Sequence, residues 1–157
     1  MTTAAFCLLI AWCLLLGVLD IHARRLPNAL TGAGAAAVFL YALWTDSLGT
    51  AVIGAALLTM PYLVTHLLSP AALGAGDVKL AVGLGAAAAL AGPPAWVWAA
   101  LAAPLLTATA AAVVLGNHWL RSALGHAAEG VRSAPSRRVV PHGPAMCLAT
   151  VTAMALA

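Results

Sequence analysis

The chain has 157 residues, 64% of them hydrophobic and only 7% charged, with a formal net charge of +3 and a mean hydropathy of +1.02. This excludes a soluble globular domain and marks a polytopic membrane protein, with the lipid bilayer as a partner. Nucleic acid is not an expected partner.

Apolar stretches occupy residues 2–19, 29–44, 51–68, 78–91, 95–115 and 139–157. A helix needs roughly 20 mainly apolar residues to cross the hydrocarbon core. The second and fourth stretches are short, so tilt, bilayer thinning or extension into flanking turns must complete the crossing. Unpaired backbone groups are not tolerated in lipid, and alternating ten-residue segments that would build a barrel are missing. The expected fold is therefore all-α, a bundle of six transmembrane helices forming one domain. Small residues such as Gly32, Gly34, Ala36, Gly83 and Gly85 let helix backbones approach closely. Pro61 and Pro104 fall inside the third and fifth spans and are expected to kink them.

Basic residues collect in cytoplasmic loops. With six spans, Arg24 and Arg25 after the first, Lys79 at the start of the fourth, and Arg121, Arg132, Arg137 and Arg138 between the fifth and sixth all fall on one side. Both termini are then extracytoplasmic, in the cytoplasmic membrane of the cell. The first span lacks a preceding basic segment and is expected to be retained. Residues 116–138 carry apolar positions at helical spacing, Trp119, Leu120, Ala123, Leu124, Ala127, Ala128 and Val131, with Arg121, His126, Glu129 and Arg132 between them. They read as an amphipathic connector on the cytoplasmic membrane surface, either a substrate or lipid platform or a basic link held by anionic headgroups.

The chain has four acidic residues, so each placement is informative. Glu129 suits a solvated surface, and Asp46, in Thr45-Asp46-Ser47, suits a turn or a helix cap. Asp20 and Asp77 each stand where an apolar segment meets a basic one, on the same predicted side. Taken singly, Asp20 reads as an interfacial acid paired with Arg24, and Asp77 as a helix cap beside glycines that permit a sharp turn. Taken together, two costly acids at one membrane depth mark a site. Two carboxylates within a few ångströms repel each other when both are ionised and so share a proton. One can then draw a proton from water while the protonated partner donates to a substrate carbonyl, giving peptide hydrolysis without a cofactor, metal or covalent intermediate. Which aspartate is base and which acid stays open.

At these residues the chain resembles the type IV prepilin peptidases, membrane aspartic proteases with a Gly-x-Gly-Asp motif. Gly74-Ala75-Gly76-Asp77-Val78-Lys79-Leu80 matches their core signature. Asp20 followed by Arg25-Leu26-Pro27-Asn28 resembles the pattern around their first catalytic aspartate. Val140-Pro141-His142-Gly143-Pro144 is similar to a third motif, in which relatives usually have an aromatic where His142 stands. The resemblance implies catalytic Asp20 and Asp77, and removal of the short basic leader of pilin-like precursors after a glycine at the cytoplasmic membrane boundary. Relatives that also methylate the new N-terminus carry paired Cys-x-x-Cys motifs in an added segment. Here Cys7, Cys13 and Cys147 all lie in apolar spans as small packing residues, so peptidase activity alone is expected.

Gly74 and Gly76 are expected to shape the loop holding Asp77, and Pro27 with Asn28 to divide two helical segments. Lys79 reads either as a residue that positions substrate or tunes the pair, or as a snorkelling anchor. His22 and His142 lie on the aspartate side, His66 and His118 at span ends, and no His-Glu-x-x-His helix is present, which disfavours a metalloprotease. A proton-coupled carrier or a membrane scaffold is the alternative class. Carriers place acids nearer the midplane and often show an internal repeat, which is not evident here. The particular precursor and the oligomeric state are not encoded legibly.

Overall fold

The computed structural model describes residues 1–23, 27–70, 73–123 and 142–157. Each of the six apolar runs forms a helix: α1 (Thr3–Ala23), α2 (Asn28–Trp44), α3 (Leu48–Leu68), α4 (Ala75–Ala91), α5 (Pro93–Ala123) and α6 (Gly143–Leu156). No strand occurs among the described residues, so the architecture is all-α. Segments Thr3–Ala23, Leu48–Leu68 and Pro93–Val113 are long and apolar enough to cross a membrane, while α2 and α6 are apolar but shorter.

The turn residues act where backbone geometry requires them. Pro27 is the extended N-cap of α2, whose first residue is Asn28. Asp46 has φ of 53° between α2 and α3, a left-handed turn conformation that aspartate tolerates better than most residues. Gly92, with φ of 128°, separates α4 from α5. Both internal prolines, Pro61 and Pro104, lie within helices that continue on either side of them.

Helix α4 is the centre of the bundle and packs on α2, α3, α5 and α6, whereas α1 lies against α6 and α2. Eight of the α4 residues, Leu80, Ala81, Gly83, Leu84, Gly85, Ala86, Ala87 and Ala88, are buried. A helix enclosed on nearly all sides needs small residues throughout, which accounts for its alanine and glycine content. The closest approach is to α3, where a Cβ at Gly85 would lie 2.7 Å from the Gly54 carbonyl oxygen and 2.8 Å from Leu58 Cβ. Trp96 of α5 closes the same seam by donating its indole N–H to the Gly54 carbonyl at 3.0 Å. Across the bundle, Trp12 of α1 lies against Gly34 of α2 and Gly83 of α4 and donates to the Leu30 carbonyl at 2.9 Å.

Two boundaries differ from expectation. Helix α4 starts at Ala75, before the apolar run begins, because Gly74 already supplies an extended N-cap. Helix α5 continues through Ala123, so residues 116–123 extend the fifth helix and do not begin a separate connector. At about 1.5 Å per residue, its 31 residues exceed the hydrocarbon thickness of ~30 Å. The polar positions beyond Gly116 can therefore stay helical outside the apolar layer. The remainder of the expected connector lies outside the described residues, as do Arg24 and Arg25.

Candidate active site

Asp20 and Asp77 are brought to one end of the bundle from opposite ends of their helices. Asp20 is in the last turn of α1, where the helix dipole disfavours a carboxylate. It is nevertheless buried, with 8% of its surface exposed, and accepts a hydrogen bond from the Gly143 backbone. Gly143 is the first residue of α6, so its N–H is one of the donors an α-helix cannot satisfy internally. The N-terminus of α6 thus offsets the unfavourable end of α1.

Asp77 is in the first turn of α4, where the dipole favours an anion. It is half-buried. Its own N–H donates to the Gly74 carbonyl at 3.1 Å, and its carboxylate accepts from the Gly74 backbone. This side-chain return to the N-cap is one half of a capping box. Asp77 is therefore not the N-cap itself; that position belongs to Gly74. Each aspartate is held by the backbone of a glycine at a helix start, and the two carboxylates lie within electrostatic reach of each other.

Gly74 has φ of −72° and ψ of 148°, an extended conformation open to any residue, so a left-handed turn is not what this glycine provides. A Cβ there would lie 3.5 Å from Asp77 Oδ2, an ordinary contact. Gly76 is inside the first turn of α4. Lys79 is exposed and donates from Nζ to Asn28 Oδ1 at 2.8 Å, joining α4 to the start of α2. Pro27 is exposed beside it.

Three of the histidines are engaged locally. His22 has its Nδ1 2.9 Å from the Val18 carbonyl, and His66 has its Nδ1 2.7 Å from the Leu73 carbonyl. His142, the N-cap of α6, has Nε2 3.2 Å from the Tyr62 hydroxyl, while its Nδ1 is hydrogen-bonded to Thr107. No cluster of three or more potential metal ligands occurs among the described residues. Cys7 is exposed and Cys13 and Cys147 are buried; the last two are hydrogen-bonded side chain to side chain between α1 and α6.

Tyr62 and Thr107 were not legible as site residues. Tyr62 is one of two tyrosines in the chain, a polar aromatic in the middle of an apolar run, and that oddity is the only signal it gives. Its hydroxyl lies within electrostatic reach of Asp77.

No curated protein and no solved structure matches the chain significantly. The sequence profile of the type IV leader peptidase family matches residues 7–120, a segment that contains both aspartates and Gly74-Ala75-Gly76-Asp77 and stops before α6. An all-helical bundle with long apolar helices and a match over most of its length make the chain a membrane peptidase of the type IV leader peptidase family.

Proposed function

We propose that this protein is an aspartic endopeptidase that removes the short basic leader of pilin-like precursors after a glycine, with Asp20 and Asp77 as the catalytic pair. The observation that carries the reading is that the two carboxylates lie within electrostatic reach at one end of the bundle, each beside a helix-start backbone. One aspartate takes a proton from the attacking water and the other, protonated, donates to the scissile carbonyl. In this reading the chain crosses the membrane six times with both termini outside and the pair faces the cytoplasm, which the grouping of the basic residues on one side supports. The chain acts in this reading as one peptidase unit, and its residues include no paired Cys-x-x-Cys motif to which methylation of the product can be assigned.

The test is incubation of the purified protein, in detergent or lipid, with pilin-like precursors from the same genome. A product starting just after the leader glycine is expected, and it should disappear with Asp20→Asn or Asp77→Asn while both variants stay folded. Undiminished cleavage by either variant would remove the aspartate pair from the mechanism. Intact precursors with folded wild-type protein would instead favour a carrier or scaffold.

A further inference from the structure

Three helices that contribute no aspartate converge beside Asp77 through a chain of polar side chains. Thr107 of α5 is hydrogen-bonded to His142 Nδ1, and His142 Nε2 reaches the Tyr62 hydroxyl of α3 at 3.2 Å. The two rings also pack, with centroids 5.5 Å apart at 42°. All three side chains are half-buried. His142 has both ring nitrogens occupied, whereas Tyr62 has one hydrogen-bond partner among the described residues and lies within electrostatic reach of Asp77.

The geometry points to Tyr62 as a further catalytic residue, donating a hydrogen bond to the oxygen that develops charge on the scissile carbonyl, with His142 as the residue that positions it. This rests on the peptidase reading above. In the tautomer protonated at Nε2, His142 donates to the Tyr62 oxygen, and the Thr107 hydroxyl turns from the Ala103 carbonyl, 3.1 Å away, to donate to Nδ1. The phenol hydrogen is then free to face the dyad. A fixed donor at that point acts as oxyanion holes do, stabilising charge that appears only in the transition state. His142 and Gly143 are adjacent, so docking of the α6 N-terminus sets both the Asp20 contact and the tyrosine in one step.

The experiment is steady-state cleavage of a precursor by wild type, Tyr62→Phe, His142→Phe, His142→Gln and the Tyr62→Phe/His142→Phe double variant. Tyr62→Phe should lower kcat by on the order of 100-fold with KM little changed, as expected for loss of a transition-state donor. His142→Phe should lower kcat less, and His142→Gln, whose amide can donate to the tyrosine, should recover part of the loss. The double variant should be no slower than Tyr62→Phe, since His142 acts through the hydroxyl. Wild-type kcat in Tyr62→Phe would overturn the inference, and so would multiplying losses in the double variant, while the aspartate reading would stand. Loss of wild-type turnover itself would remove both. Should Tyr62→Phe fail to fold, the paired His142 variants decide alone: equal activity of the glutamine and phenylalanine forms overturns the role.

Discussion

Gly143 and Asp20 are in direct contact: a Cβ built on Gly143 would lie 2.8 Å from Asp20 Oδ2 and 3.3 Å from its Cγ. The last turn of α1 and the first turn of α6 are therefore spaced for a residue without a side chain. Gly143→Ala should push the carboxylate away from the Gly143 amide and lower cleavage by at least ten-fold, with an overpacking cost of about 1–3 kcal/mol. Gly17 on the same helix as Asp20 has nothing within 4 Å of its Cβ position, so Gly17→Ala should keep activity and stability. Cleavage assays and unfolding of both variants check the contrast, and equal behaviour of the two would refute the contact.

Lys79 and Asn28 form an exposed bridge between α4 and α2. Exposed bonds of this kind contribute about 0–1 kcal/mol. Lys79→Ala and Asn28→Ala should each reduce stability by less than about 1 kcal/mol, and the double variant should lose no more than either alone. A cleavage defect in Lys79→Ala that is absent from Asn28→Ala would instead show that the ammonium group meets substrate directly.

Six apolar runs were enough to find the six helices, because lipid forces helical hydrogen bonding on any apolar segment. Asp20 and Asp77 stood out for a related reason, since acids are scarce in such a chain and costly at membrane depth. What could not be read was which helices touch. Helix α4 is central, yet its alanines and glycines carry no directional pattern from which a buried helix could be told from a lipid-facing one. The Tyr62 to His142 contact joins residues far apart in sequence and depends on α6 docking. The continuation of α5 past Gly116 is not legible because the apolar signal ends there, whereas helical bonding persists once the chain leaves the apolar layer.

Thr59 of α3 has a buried hydroxyl oxygen with no hydrogen-bond partner among the described residues. Such a group carries a desolvation cost of about 1–3 kcal/mol that nothing offsets. Valine has nearly the same shape and no polar atom. Thr59→Val should therefore be neutral or raise stability by up to about 1 kcal/mol, with cleavage unchanged. A clear loss of stability would mean that the hydroxyl has a partner, such as bound water, in the membrane-embedded protein.

The seam between α3 and α4 should be the least tolerant part of the bundle. A Cβ at Gly54 would fall 2.7 Å from the Gly85 carbonyl oxygen and would also meet the Ala89 side chain, so the obstruction includes backbone that cannot rotate away. Gly54→Val must separate the two helices, and because α4 also packs on α2, α5 and α6, the displacement would spread through the bundle. We expect no folded protein from Gly54→Val. Trp96→Phe removes only the indole donor to the same carbonyl and should cost about 1 kcal/mol while leaving the aspartates in place. Detergent-unfolding curves and precursor cleavage on both variants give the comparison. A folded, active Gly54→Val protein would show that α3 and α4 can move apart without disturbing Asp77, and that the central position of α4 does not govern the site.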